Sequence, residues 1–398
     1  MAKELVHFEN FAKLRDTSLA FNDITVIAGK PGTGKSYVMK MMYAINEAFY
    51  RKTNNTLVDE FIERGKKSLI SIASIFLSGD NEKLKEVKQF LAENNFTNYK
   101  KLLEEDIQKV DALGDALDET IERIQEFSNL SLNSKMVLFL SNMIKSIFSD
   151  YSQISDNFTV KTENVNISFI NENLEFHFDN ILSINTSTVV FVETPLILEF
   201  KKFMKREEGK TPYHIDSLLN ILDTDYSFTD SEQDKFIKNF TKKSKEIIQG
   251  DIESSGDSFI FNKIDDKNYD IVNASSGVKS IGLLQYLVTN KALKKGSVLF
   301  WEEPEVHLHP VWQLKMIELF VELMKAGVKI VFSTHSPYMC DYLNAISQKN
   351  KFSDRVSFNL LKENNGIVEN YILETDEDWN MIQAELLDPL EEIMWEYI

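Results

Sequence analysis

A single cysteine, Cys340, in 398 residues excludes a disulfide framework and fits a reducing compartment. Long apolar runs are missing as well. The longest candidate, Thr188 to Phe200, is cut by Glu193 and Glu199, so nothing approaches the roughly 18 residues that a membrane span needs. The first ten residues carry neither the basic nor the apolar stretch of a secretory leader. These absences predict a soluble cytoplasmic protein without membrane contact. Positive charge is scarce: 44 Lys and Arg stand against 62 Asp and Glu, a net charge of −18. That balance argues against wholesale, non-specific nucleic-acid binding. The acidity is uneven, because no Lys or Arg follows Lys362. A basic stretch survives at Lys201, Lys202, Lys205, Arg206 and Lys210, followed by Lys235, Lys238, Lys242, Lys243 and Lys245. It reads as solvated helix faces or as a phosphate-contacting or partner surface. Internal repeats, low-complexity segments and sustained a/d heptads are also absent, which argues against a long coiled-coil arm.

What is present is an ordinary folded composition, 43% hydrophobic with 14 glycines, and a length that suggests two or three structural units. Leu5 to Ile27 reads as two short strands and a turn, with Asp23 preceding the apolar run Ile24–Ala28. A helix follows from Ser36 to about Tyr50, with Val38, Met41, Met42, Ile45 and Phe49 on its apolar face. From about Asn81 to Tyr151 the period is helical (Leu103, Ile107, Val110, Leu117, Ile121, Ile124), with breaks at Asn94–Asn95 and Asn129–Asn133. Asn157 to Val192 alternates and suggests a meander of short strands ending at Thr188–Val192. Helices are expected from Leu196 to about Lys205, from Ser231 to Gln249 and from Val278 to about Leu293. Near the C-terminus, Asp388, Pro389 and Glu391 have the spacing of a capped helix start.

Three strings carry chemistry. Gly29-Lys30-Pro31-Gly32-Thr33-Gly34-Lys35-Ser36 matches G-x-x-x-x-G-K-[ST] in full, after an apolar strand and before a helix. Its glycines let backbone N–H groups face a β-phosphate; Lys35 reaches the β/γ-phosphates and the Ser36 hydroxyl coordinates Mg²⁺. Val298 to Pro310, VLFWEEPEVHLHP, ends an apolar strand in two adjacent carboxylates. Glu302 is placed to hold Mg²⁺ through water, and Glu303 to orient or activate an attacking water. Ser333-Thr334-His335-Ser336-Pro337 follows a further apolar strand, and His335 just past its end is placed to contact a γ-phosphate. His307 and His309 could form a His-x-His metal pair, but no third ligand cluster lies nearby. A weaker signal is the small-residue turn Asn273–Ser280, which opens a helix whose N-terminus could meet phosphate.

In this order the motifs resemble the ABC-type ATPase heads, within the branch shared by SMC-like, RecF-like and OLD-family ATPases. Phe8-Glu9-Asn10-Phe11 looks like that branch's first strand, while EEPEVHLHP and STHSP look closest to OLD-like ATPases of defence operons. The resemblance implies an α/β P-loop NTPase fold with a mixed central sheet, an antiparallel β subdomain and a helical insertion. It implies ATP and Mg²⁺ as ligands, and a head-to-tail homodimer or higher oligomer closing on two ATP molecules. One subunit would supply Lys35, Ser36, Glu302, Glu303 and His335, and the partner Ser275 and Gly277; Glu305 to His309 would connect the two sites. The expected units are 1–50 (phosphate-loop lobe), 51–154 (helical insertion), 155–200 (antiparallel strands), 201–254 (basic, helical), 255–375 (second ATPase lobe) and 376–398 (acidic tail).

The function implied is that of sensor or motor subunit in a bacterial anti-phage defence complex. No HNH-like cluster stands out and some sixty residues follow His335, so a nuclease or toxin effector is expected on a separate protein. The alternatives are a DNA-repair ATPase that clamps DNA directly, a transporter's ATP-binding subunit and a nucleotide-gated scaffold. The transporter reading lacks its Leu-Ser-Gly-Gly signature and a recognisable glutamine loop. Glu302 also stands where many relatives have Asp.

Overall fold

A computed structural model of the chain describes residues 3–52, 54–76, 82, 84–85, 89, 111–171, 173–179, 187–203, 211–224, 226, 231–265, 267–375 and 378–387. It divides into two compact units, Met1–Tyr50 with Ser141–Lys205 and Thr211–Ile398, and Arg51–Leu140 with Arg206–Lys210.

In the first unit, strands β1 (Glu4–Phe11), β2 (Leu14–Phe21), β3 (Ile24–Gly29), β4 (Phe158–Lys161), β5 (Val165–Ile170), β6 (Asn173–Phe178) and β7 (Val189–Val192) are followed by a small antiparallel sheet. That sheet comprises β8 (Gly250–Ser255), β9 (Ser258–Lys263) and β10 (Asn268–Asp270), and after it come β11 (Val298–Trp301), β12 (Lys329–Thr334), β13 (Val356–Asn364) and β14 (Ile367–Ile372). The large sheet runs β6-β5-β4-β1-β2-β14-β13-β3-β12-β11-β7. Its arm from β6 to β2 is antiparallel. Its core, β13-β3-β12-β11-β7, is parallel throughout, so all five strands deliver their C-terminal ends to one edge.

Burial explains the two halves. Each of the four residues of β7 and β11 is buried, as is every residue of β3, the continuous apolar pattern of a parallel strand covered on both faces. The arm instead alternates: β5 reads buried-exposed along its first residues, as a sheet with one wet face does. The meander expected over Asn157–Val192 is therefore split. β4 to β6 pair with one another on the arm, whereas β7 lies at the opposite end of the sheet beside β11. VVFV has no polar face to give to water, and that drives it into the core.

Two turns set up the phosphate-loop strand. Ala12, with φ 54°, separates β1 from β2, and Asn22 separates β2 from β3 by donating its N–H to Thr25 Oγ1 at 2.9 Å. β2 and β14 share a single registered pair, and the buried Asn359 of β13 ties β2 and β3 together beside that seam. Its Nδ2 donates to Ala20 O (2.9 Å) and Val26 O (3.2 Å), and its Oδ1 accepts from Ala20 N (2.8 Å).

Helix Lys35–Tyr50 is buried nearly all round, not only on the face predicted from its spacing, because it lies within the core. The helix expected from Val278 runs Ser276–Thr289, capped by Ser275 and ended where Lys291 turns left-handed at φ 65°. The one expected from Leu196 is a single turn, Ile197–Phe200. No described helix is long and apolar enough to cross a membrane.

Of the seven described lysines of the basic stretch, four are paired, while Lys235, Lys238 and Lys242 are exposed on helix Ser231–Ile248. Lys201, only 5% exposed, meets Asp223 at 2.6 Å and lies over the Phe259 ring, Lys202 meets Asp270 at 3.3 Å, Lys243 meets Glu322 at 3.1 Å and Lys245 pairs with Asp251. Lys205, Arg206 and Lys210 lie outside the described residues, as do Asn94–Asn95, Leu103, Ile107, Val110 and the Asp388–Glu391 motif.

In the second unit, helices Asn54–Phe76 and Asp111–Asn129 pack against each other, with the Phe61 and Phe127 rings stacked at 4.2 Å. The latter helix ends at the predicted Asn129 break, and Leu132–Phe148 follows.

Candidate nucleotide-hydrolysis site

The C-terminal edge of the parallel core gathers the three strings. β3 ends in the loop Gly29, Lys30, Pro31, Gly32, Thr33, Gly34, Lys35 and Ser36, β11 in Glu302 and β12 beside His335. Gly29, Gly32 and Gly34 have φ of 145°, 80° and 90°, the left-handed half of backbone space that only glycine enters cheaply. At Gly29 a Cβ would sit 2.3 Å from Leu361 O, so the loop also needs the missing side chain. Lys35 is 5% exposed, and its Nζ donates to Gly29 O and Lys30 O, each at 2.9 Å. Burial lowers its ammonium to about 8, against the opposing pull of Glu303, Glu305 and Glu302. Those contacts place one cation and three carboxylates within mutual influence.

Glu302 leaves β11 with its N–H donating to Val192 O at 2.9 Å. Burial pushes its carboxyl up to about 7, against the opposing pull of the Lys40 charge and the nearby Ser36 side chain. Oε1 of this carboxyl is buried with no hydrogen-bond partner among the described residues. An unpartnered buried oxygen beside a serine hydroxyl fits a hard divalent cation. Among the described residues no group of three or more His, Cys, Asp or Glu could hold a metal alone; magnesium uses one or two protein oxygens together with phosphate and water.

Glu303 sits in the left-handed region at φ 43°, a strained position for a residue with a Cβ, of the kind concentrated at functional sites. Its N–H donates to Ser333 O and Oγ, both at 3.2 Å, which holds the turn against β12. Glu303 Oε1 accepts from His335 Nε2 at 2.9 Å. Because an ionised carboxylate only accepts, the Nε2 of His335 carries the proton. Burial, reinforced by the Lys35 charge, holds this imidazole below its ordinary value and hence neutral.

Glu305 has a role the sequence did not reveal. Its Oε1 accepts from the His335 backbone N–H at 2.6 Å and from Thr334 Oγ1 at 2.8 Å, so it fixes the loop that presents the imidazole. Burial raises the Glu305 carboxyl as well.

Ser275 and Gly277 make their described contacts elsewhere. The Ser275 hydroxyl accepts from Val278 N at 3.4 Å, and a Cβ at Gly277 would lie 3.2 Å from the Trp312 ring and 3.4 Å from His307 O. The small-residue helix start is thus seated on the turn that follows Glu303. His309 caps helix Pro310–Lys325 through its ring, accepting from Val311 N at 3.3 Å.

Two further groups were missed. Glu193, directly after β7, accepts from Lys40 Nζ at 3.1 Å and from His214 Nε2 at 2.9 Å. On the loop's outer side, Lys30 pairs at 3.4 Å with Glu385, whose side chain is 9% exposed and also meets Lys362 at 3.9 Å. Sequence gave Glu193 only as a break in an apolar run. Yet VVFV-E repeats the pattern of VLFW-E, a buried strand ending in a carboxylate, and that was the available signal.

A family model described as AAA ATPase domain matches residues 3–340. The chain belongs to the AAA ATPase domain family. Its fold is the P-loop NTPase type expected from the sequence, a large mixed sheet with a small antiparallel one. Among solved structures it is similar to the SMC head domain from Thermotoga maritima, at 11% identity, covering 94% of this chain and 100% of that one with a TM-score of 0.43. It is also similar to the Smc head domain with an extended coiled coil bound to the C-terminal domain of ScpA, derived from Pyrococcus furiosus (12% identity, 96% and 99% covered, TM-score 0.37). An ATP-binding cassette of an ABC transporter in its ADP conformation is a third (11% identity, 97% and 96% covered, TM-score 0.35). No curated protein matches the chain.

Proposed function

We propose that the chain hydrolyses ATP in a site completed by a second copy docked head to tail, and that it is the sensor or motor subunit of a bacterial anti-phage defence complex with a separate effector. The observation that supports hydrolysis most is the 2.9 Å Glu303–His335 contact on the edge that also carries Lys35 and Ser36. In this reading Lys35 exchanges the Gly29 and Lys30 carbonyls for the β/γ-phosphates, and the loop N–H groups hold the β-phosphate. Magnesium, when bound, would neutralise phosphate charge, held by the Ser36 hydroxyl and, through water, by Glu302. Glu303 takes a proton from the attacking water, and the His335 Nε2–H steadies that carboxylate and faces the γ-phosphate. Ser275 and Gly277 of the partner subunit would close over the same phosphate. Loss of the γ-phosphate then releases the closed state, which makes ATP a switchable clamp.

The defence role rests on the EEPEVHLHP and STHSP strings. Turnover by the purified protein with and without duplex DNA tests it. A rate that DNA leaves unchanged is expected; strong stimulation would transfer the reading to a repair ATPase that clamps DNA directly. The pairing of Lys201, Lys202, Lys243 and Lys245 with carboxylates of the same chain favours the first outcome.

The Lys35 ammonium gives a pH prediction. Burial lowers it to about 8 in the free protein, and only the protonated form attracts phosphate. The Lys35 contribution to ATP affinity, measured without Mg²⁺ so that the Glu302 carboxyl near 7 has no cation to hold, is therefore constant below that value. Above it, affinity falls about tenfold per pH unit until the ammonium held by bound phosphate also titrates. Equilibrium binding of a fluorescent ATP analogue between pH 6.5 and 9.5 measures this, and a flat profile would refute Lys35 as the phosphate ligand.

A further inference from the structure

The Glu193–Lys40–His214 cluster has no place in the mechanism above, although it adjoins the site. β7 and β11 are parallel neighbours with Val192 opposite Trp301, so Glu193 and Glu302 leave the sheet side by side. Lys40, on the helix opened by Lys35, donates to Glu193 Oε1 at 3.1 Å and its charge also acts on Glu302. His214 occupies Oε2 at 2.9 Å from helix Tyr213–Asp223, which packs on β7.

His214 is 2% exposed, and its Nδ1 is buried with no hydrogen-bond partner among the described residues. A ring charged on both nitrogens would leave a buried N–H unmet, so the neutral tautomer with its proton on Nε2 is the one that fits. Burial holds the imidazole below its ordinary value, in agreement with that tautomer. The His214 hydrogen bond and the Lys40 charge hold the Glu193 carboxyl down to about 2, so it remains a full negative charge. The Phe191 ring meets the imidazole edge-on, with centroids 5.1 Å apart, and restricts its tilt. Both oxygens of Glu193 are thus gripped from separate helices, and the carboxylate has a fixed place next to Glu302.

We propose that His214 is a positioning residue for the nucleotide site: by fixing the Glu193 carboxylate beside Glu302, it sets the strength with which the divalent cation accompanying ATP is held. The proposal rests on the ATPase reading. The Lys40 ammonium reaches Glu302 more strongly than the Glu193 anion does, so a fixed Glu193 serves the cation by offsetting Lys40 beside the Ser36–Glu302 pair. A carboxylate free to rotate would offset it less.

The test uses the full chain and a fluorescent ATP analogue, titrated with MgCl2 at fixed nucleotide and, separately, bound in EDTA. His214→Phe is expected to raise the Mg²⁺ concentration for half-maximal binding about tenfold to a hundredfold, the usual cost of removing a group that orients a metal-site carboxylate. Affinity in EDTA should not change. Glu193→Gln should raise the Mg²⁺ requirement equally, and the double variant no further. His214→Gln, whose side-chain amide can donate to the same oxygen, should restore most of the loss. A purely structural histidine would lower the melting temperature without moving the Mg²⁺ requirement, and that result overturns the proposal. Should His214→Phe fail to fold, Glu193→Gln decides: an unchanged Mg²⁺ requirement overturns the proposal and a raised one supports it. If the wild-type protein binds no nucleotide, the ATPase reading fails and the proposal with it. If it binds normally and both variants match it, only the proposal fails.

Discussion

Glu303→Gln is expected to lower kcat about a hundred- to ten-thousand-fold, the range for removal of a general base, while ATP binding survives. The substitution keeps the volume and the contact with His335, which donates to Oε1 at 2.9 Å. It removes the group proposed to accept the proton from water. Because Lys35, Ser36 and Glu302 remain, the nucleotide should bind and the ATP-dependent dimer should accumulate instead of turning over. Single-turnover kinetics and size-exclusion chromatography with ATP check the two halves together. Equal turnover in variant and wild type would mean that Glu303 is not the base. The left-handed φ of 43° at this position sharpens the expectation. A carboxamide inherits the same strain as the carboxylate, so a loss of rate without a loss of stability isolates the proton transfer.

Gly29→Ala should have the second large effect, this time on folding and binding together. The methyl group would lie 2.3 Å from Leu361 O, a backbone atom of the adjacent strand β13, at a φ of 145° that alanine avoids. Relief requires either prising β13 from β3 or reshaping the phosphate loop. A cost of about 2–6 kcal/mol follows from adding overpacking to backbone strain. Urea denaturation should show the lower stability, and binding of an ATP analogue should be lost even where the protein remains folded. Gly256, also left-handed at φ 60° but with open space around it, is the control: alanine there meets no atom within 4 Å and costs only the backbone term.

The parts of the site that were legible in the sequence are those whose chemistry is local. The eight-residue phosphate loop, Glu302–Glu303 and His335 each follow directly on a strand, and a strand end predicts its own neighbour. Parallel pairing of β3, β11 and β12 then brings the three ends together. What was not legible depends on which strand lies beside which. Glu193 becomes a neighbour of Glu302 only because β7 crosses from the region of the antiparallel arm to the far side of the sheet. His214 and Lys40 reach it from two helices that no spacing rule connects. Glu305 was visible as a third carboxylate, but its grip on the His335 backbone depends on the turn geometry set by Glu303. Asn359 looks like an ordinary polar strand residue until β2, β3 and β13 are assembled around it. The strand arrangement also separated two classes of strand that the sequence pattern had run together, the alternating β4–β6 and the wholly buried β7.

The Lys30–Glu385 pair has a practical consequence. Helix 378–387 holds itself in the core with Ile382 and the Trp379 ring, which meets Phe358 edge-on at 4.8 Å, and from there it supplies the Lys30 counter-charge. A chain shortened before residue 378 therefore loses an ion pair on the phosphate loop along with a core-packed helix. Such a truncation is a poor negative control for any experiment on the acidic C-terminal region, because slower turnover would arise at the nucleotide site itself. Charge-neutral replacement of the residues beyond 387, leaving Glu385 in place, separates the two.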